Sequence, residues 1–273
     1  MNQPRWLAYH GLSRPPFSKE IDDQDLWLPS SKEEIVAELC EAAAERNSAI
    51  LVGEPGMGKT CLLRALRHRL PEAGFRLTYC HNATLGRRDF YRQLCQSVGL
   101  SPKATAASVF YAVSTHIEQL GSERVHPVFL LDEAHLLHQD VLDHLHILLN
   151  YQWDSRSLLS LVLVGLPQLW DRLQLRHNRS LYSRIFHRLS VGPALPQDTA
   201  EYVEYRLESA EAEGNPFTSD AIGMLHEAAG GSLRDIDRIA TMSLKNASRR
   251  NLRRIDSAVI EHVLKLEDER RSQ

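Results

Sequence analysis

The sequence predicts an α/β fold: a P-loop-type, doubly wound parallel sheet followed by a small C-terminal helical lid domain. Three observations predict it. Short apolar runs at residues 49–52 and 128–131 end abruptly at Gly53 and at Asp132-Glu133, as strands buried on both faces do. Segments with helical spacing alternate with these runs and with further strand-like stretches at residues 75–80 and 159–164, the order that builds a parallel sheet. After a break at residues 192–196, residues 198–266 contain no convincing strand and several capped helical stretches. The chain has 273 residues, 43% of them hydrophobic, enough for one large core and a second small one.

Taken in order, residues 1–30 read as an extended, turn-rich arm, because Pro4, Pro15, Pro16 and Pro29 remove backbone donors and restrict the residues before them. Ser30 or Ser31 can cap a helix over residues 32–46, with Glu33 and Glu34 near its positive end. Helices follow the first three strands at residues 59–70, 88–98, 106–120 and 139–151, with a polar turn at 81–85. In the C-terminal part, Asp198, Ser219, Ser232 and Ser257 start four helices. The expected domains are an arm (1–30), a nucleotide-binding α/β domain (31–196), a helical lid (197–266) and a polar tail (267–273).

The formal net charge of −3 supplies no global basic field, so attraction for nucleic acid would need local patches. Cys40, Cys61, Cys80 and Cys95 form no CxxC pair and read as reduced thiols. No signal-peptide pattern opens the chain, and its longest apolar run, residues 158–166, is far short of a membrane span. A cytoplasmic protein without direct membrane insertion is expected.

Gly53-Glu54-Pro55-Gly56-Met57-Gly58-Lys59-Thr60 matches G-x-x-x-x-G-K-[ST] between a predicted strand and a predicted helix. Such a loop curls so that successive N–H groups and the helix N-terminus surround phosphate oxygens. Lys59 would reach the β and γ phosphates and Thr60 would meet magnesium. Downstream, Asp132 would hold the metal through water and Glu133 would orient the attacking water. His135 reads either as a phosphate-region contact or as a surface histidine. Arg184 and Arg188 lie four apart in residues 180–189, read as one helical face, and either could offer a guanidinium to a neighbouring subunit's γ-phosphate. Arg234 follows Gly230-Gly231-Ser232-Leu233 in a first helical turn, where it opposes the helix dipole and nucleotide phosphate is the obvious compensation.

Together these residues resemble the AAA+ superfamily of ring- or filament-forming ATPases over residues 1–266. The resemblance makes 53–60 its Walker A loop, Asp132 and Glu133 its Walker B pair and Arg234 its second sensor, and it implies ATP and Mg2+ as cofactors. More narrowly, Tyr9-His10-Gly11-Leu12 through Pro16-Phe17, the segment at 163–169 and residues 184–189 resemble the ATPase domain shared by the secretion ATPase ExeA and the transposition helpers TniB, TnsC and MuB. In that group the arginine finger acts across a subunit boundary. The first-sensor position falls at or near Gly165, so that the γ-phosphate contact is either absent or moved to Gln168, which implies slow or partner-stimulated hydrolysis. Adenine contacts are implied in the arm, where Phe17 and Ile21 serve equally well as core residues.

The secretion member of the group continues into a membrane segment and a peptidoglycan-binding region, and neither is seen in these 273 residues. The resemblance therefore implies a transposition regulator that self-associates into a ring or helical filament on duplex DNA and recruits a DDE-type transposase. The alternative is a secretion-associated assembly ATPase, or an ATP-switched scaffold that binds no DNA. Candidate DNA contacts are Arg87, Arg88 and Arg92, and a denser patch of Lys245, Arg249, Arg250, Arg253 and Arg254. Both would be directed at the phosphate backbone.

Overall fold

A computed structural model describes residues 4–81, 83–101 and 105–271. Asn82 in the expected turn at 81–85 and the outermost residues of the arm and tail lie outside the described residues. The chain divides into two compact units: residues 33–54 with 59–191, and the segments up to residue 32, 55–58 and from 192 onward.

The first unit is built on five strands: β1 (Ser48–Gly53), β2 (Phe75–Cys80), β3 (His126–Leu131), β4 (Ser160–Gly165) and β5 (Ile185–Val191). Their order is β2-β3-β4-β1-β5 and every neighbouring pair is parallel. In chain order the helices are α1 (Arg5–Tyr9), α2 (Ser30–Ala44), α3 (Lys59–Arg69), α4 (Arg87–Ser97), α5 (Ala106–Ser122), α6 (Gln139–Leu148), α7 (Gln168–Gln174), α8 (Arg179–Tyr182), α9 (Pro196–Glu208), α10 (Ser219–Ala229), α11 (Leu233–Arg249) and α12 (Ser257–Arg271). Strands β1, β3 and β4 are buried along their whole length, which is why their sequences are unbroken apolar runs. Helices α4, α5 and α6 pack Phe90, Leu94, Val113, Ile117, Leu142 and Leu145 against the sheet residues Phe129, Leu131 and Leu161.

Residues 185–191 correct one expectation. They form the edge strand β5, not a helix, with Ile185, Leu189 and Val191 buried and Phe186, Arg188 and Ser190 exposed. The misreading has a simple origin: an edge strand alternates, and the spacing of Leu181, Ile185 and Leu189 coincides with a helical period over so short a window. Arg184 and Arg188 therefore do not share a helical face. One stands at the turn before β5 and the other on the strand.

In the second unit α9 to α12 enclose a core of Val203, Leu207, Phe217, Leu225, Ile239, Leu244 and Val263. The arm belongs to this core and is not merely extended. It begins with α1, and Leu7, Leu12 and Phe17 are buried among the helices. Arg206, only 5% exposed, fixes the arm by donating from Nε to the Pro16 carbonyl at 2.6 Å and from the guanidinium to the Ser18 carbonyl. Tyr205 donates its hydroxyl to the Asp25 carbonyl at 2.8 Å. Phe17 is thus a core residue. Helix α12 runs through residues 267–271, where a polar tail was expected.

Candidate nucleotide site

Parallel pairing puts the C-terminal ends of all the strands on one edge of the sheet. Val52 pairs with Gly165 and Leu163 with Leu131, so the ends of β1, β4 and β3 succeed one another along that edge. With strands spaced at ~4.8 Å, β1 and β3 stand roughly 10 Å apart. From the end of β1 the chain passes through the glycine loop into α3, so Lys59 and Thr60 occupy the first helical turn. That turn contains no acidic residue of its own to compete with an anion for the positive end of the helix. The Lys59 ammonium donates to the carbonyls of Gly53 at 2.6 Å and Glu54 at 3.0 Å, folding back across the mouth of its own loop.

From the end of β3, Asp132 and Glu133 diverge. Asp132 is buried, and its two oxygens accept the Tyr79 hydroxyl at 2.7 Å and the Glu133 amide at 2.9 Å. Burial and this bond to a carboxylate hold the Tyr79 phenol above its usual range. Glu133 takes a left-handed backbone conformation at φ 52°, which turns its side chain out of the strand line into solvent. Its carboxylate lies 3.5 Å from Nδ1 of His135. The same nitrogen accepts the Leu166 amide at 3.4 Å, and Arg172 donates to the His135 carbonyl at 3.1 Å. His135 therefore joins Glu133 to the end of β4. Gly165 makes this possible, since a Cβ there would stand 3.2 Å from both the amide nitrogen and Nδ1 of His135.

The tip of the loop, residues 55–58, packs within the helical unit. Gly56 has φ +83°, and a Cβ on it would come within 2.2 Å of the Ser232 hydroxyl and 3.4 Å of the Arg234 Cβ. The Leu233 amide donates to the Gly56 carbonyl at 3.1 Å, and the buried Lys32 donates to the Met57 carbonyl at 2.7 Å. Ser232 caps α11, so exposed Arg234 sits in the first turn of a helix whose N-terminus touches the glycine loop. This pairing was legible as a glycine turn followed by arginine. The contribution of Lys32 and of Tyr79 was not, since both reach the site through long-range packing.

The other named residues are less concentrated. Arg184 is half-buried and held by Asp154 at 2.8 Å, while Arg188 lies over the Tyr182 ring, 4.1 Å from its centroid. Gln168 is exposed in the first turn of α7. Arg87 and Arg88 are exposed at the start of α4, and Arg92 faces Asp89 at 3.8 Å. Lys245, Arg249, Arg250, Arg253 and Arg254 are exposed around the end of α11. Cys40, Cys61, Cys80 and Cys95 are not joined in disulfides. Among the described residues no group of three or more His, Cys, Asp and Glu could hold a metal. A divalent ion here would need phosphate oxygens and water beside Thr60 and Asp132, which is how magnesium is carried with a nucleotide. The residues fit that role.

Residues 42–173 match the model of an AAA domain. The solved structures it resembles include the ORC2 protein of Aeropyrum pernix (TM-score 0.70, 14% identity, 93% of this chain and 71% of that one) and Cdc6p of Pyrobaculum aerophilum (0.66, 17%, 86% and 68%). RuvB of Thermotoga maritima is a third (0.61, 16%, 88% and 69%). This is an AAA+ P-loop fold. Its domain and fold are those of an ATPase, consistent with ATP binding and hydrolysis, and at family level the AAA+ fold implies capacity for ATP with Mg2+. Over 253 residues, 92% of this chain, the sequence is 32% identical to general secretion pathway protein A of Aeromonas hydrophila, of which it spans 46%. That relative overturns the expected transposition helper. The DDE-type transposase partner falls with it. The absent membrane segment was a poor guide, because an ATPase domain that matches less than half of a longer relative carries no information about the rest. Among the described residues no helix is long and apolar enough to cross a membrane.

Proposed function

We propose that this AAA+ chain binds MgATP on residues 53–60 and hydrolyses it to drive a protein-secretion assembly process. The 32% identity to general secretion pathway protein A across 92% of the chain carries the secretion part of this reading. The chemical part is supported by a glycine loop opening onto a helix N-terminus and by two carboxylates beyond the end of β3. In that reading Lys59 leaves the loop carbonyls for phosphate, Thr60 and Asp132 hold the magnesium ion, and Arg234 reaches phosphate from α11. Bound magnesium would neutralise phosphate charge. Glu133 orients water as the base, and His135 sets the direction of its carboxylate. Arg184 and Arg188 are the guanidinium groups that a neighbouring copy would receive, so self-association belongs to the proposal, on the cytoplasmic side where ATP is supplied.

The test is a chimera in which this chain replaces the matching segment of the Aeromonas hydrophila protein. Restored secretion, lost again with Lys59→Ala, supports the reading. A chimera that hydrolyses ATP yet restores no secretion would overturn the secretion assignment and leave the ATPase assignment standing.

A further inference from the structure

The helical unit contains a second concave site that the ATPase chemistry does not use. A cleft of about 320 Å³ is lined by Arg5 and Trp6 of α1 and by Lys245, Ser248 and Arg249 of α11. Its size falls at the lower end of small-ligand sites. The Lys245 ammonium stands 5.5 Å from the Trp6 ring centroid, so aromatic surface and positive charge face the same space. One helical turn away the arrangement repeats: the Arg253 guanidinium lies 4.6 Å from the Tyr9 ring centroid and donates to the Tyr9 carbonyl at 2.8 Å.

Both segments that build the cleft are free of acidic residues in the sequence. Residues 1–19 and 239–255 hold eight Lys and Arg and no Asp or Glu, in a chain whose net charge is −3. The cleft itself has three cations and no acid among its lining residues. Helix α11 ends at Arg249, and its negative C-terminal pole keeps a cation favourable there in the folded protein. Cations interleaved with aromatic rings are the chemistry that takes a phosphodiester on one side and an unstacked base on the other. A duplex keeps its bases stacked inside and offers Trp6 nothing. A flat lipid surface does not fill a concave site around a half-buried indole.

We infer that the cleft formed by Arg5, Trp6, Lys245 and Arg249 binds a nucleotide unit of single-stranded nucleic acid, with its phosphate on the cations and its base against Trp6. This site is separate from residues 53–60 and does not depend on the ATPase reading.

The experiment is fluorescence anisotropy of a labelled twelve-nucleotide oligothymidylate with the full chain at low salt, in EDTA and without ATP. The expected results are saturable binding that weakens with salt, roughly tenfold loss in a Lys245→Ala/Arg249→Ala double variant, and no change in Lys59→Ala. Trp6→Phe keeps affinity within about threefold and Trp6→Leu loses most of it, as stacking requires. The Lys245 and Arg249 side chains are exposed, so circular dichroism of the double variant should match wild type. Equal binding by the double variant overturns the proposal, as does equal affinity for a twelve-base-pair duplex. Retention on phosphatidylglycerol vesicles without oligonucleotide binding also overturns it and assigns the surface to lipid headgroups.

Discussion

The two units hold functional residues by different means. In the sheet unit, Asp132 and Glu133 project from the end of a strand buried along its whole length and locked by parallel pairing on both sides. Their positions are fixed by the backbone ladder, and what varies is the partner of each carboxylate. In the helical unit the groups near the glycine loop are held by close packing: Gly56 against Ser232, the Leu233 amide on the Gly56 carbonyl, Lys32 on Met57. The sheet supplies charge at fixed points, whereas the helices supply fit. Substitutions should therefore damage chemistry in one unit and packing in the other.

The largest expected effects lie in the sheet unit. Glu133→Gln keeps shape and hydrogen bonding but cannot accept a proton, so steady-state ATP turnover should fall by ~10²-fold or more while a fluorescent ATP analogue still binds. Lys59→Ala should lose both turnover and binding. Turnover by Glu133→Gln within threefold of wild type would show that the carboxylate beyond β3 is not the base.

Next comes the helical unit. Gly56→Ala places a methyl group where Ser232 stands and forces an L-residue into φ +83°, a strain of about 1–2 kcal/mol before the clash is counted. Nucleotide affinity should drop, and hydrogen exchange at the N-terminus of α11 should quicken while the amides of β1 and β3 stay protected. Pairing with Ser232→Gly should restore part of the loss by removing the obstructing hydroxyl. Unchanged exchange in α11 would mean that the loop tip is not fastened by this packing.

How much of this was legible follows the same division. The strands buried on both faces, the glycine loop with its lysine and the paired acids announce themselves locally, because each requirement is met by adjacent residues. Strand β5 was misread because an edge strand shares its short-range spacing with a helix, and the arm was misread because its burial depends on Arg206, some 190 positions away from its carbonyl partners. Tyr79 was missed for a similar reason: only the β2–β3 register, with Cys80 opposite Leu131, brings its hydroxyl to Asp132. Residues 9–17, 163–169 and 184–189 pointed to a group that holds both secretion and transposition ATPases; the choice between the two was not in those residues, since the same ATPase domain serves unlike systems, and the Aeromonas hydrophila relative favours the secretion alternative.

A smaller effect separates the units by their response to acid. In the sheet unit His126 is buried against the Ser160 hydroxyl at 2.8 Å, and burial pushes its pKa from 6.5 down to about 4. Between these values the unfolded chain takes up a proton that the folded unit refuses, so this unit loses stability as pH falls. In the helical unit burial raises Asp237 from 3.8 to about 6, against the opposing effect of the Tyr202 hydroxyl at 2.7 Å. Here the folded unit takes up the proton first, and stability rises as pH falls through the window from about 6 to 4. Calorimetric melts at pH 7.5 and 4.5 should show His126→Gln easing the acid loss and Asp237→Asn raising the melting temperature by roughly 5 °C at pH 7.5 only. Both variants shifting the two melts in the same sense would refute the opposition.

The smallest expected effect concerns Tyr79, whose hydroxyl occupies one oxygen of the carboxylate assigned to magnesium. Removing it in Tyr79→Phe leaves Asp132, 8% exposed, with one fewer donor to stabilise its charge. A less satisfied carboxylate competes better for a cation, so the magnesium concentration at half-maximal ATPase activity should fall by roughly threefold, while the metal-free protein melts a few degrees lower. The two shifts must have opposite senses: the hydroxyl that steadies the empty carboxylate is the one the metal must outcompete. If Tyr79→Phe instead raises the magnesium requirement, the phenol orients Asp132 for the metal and does not compete with it, and the fixed-charge description of the sheet unit must extend to β2.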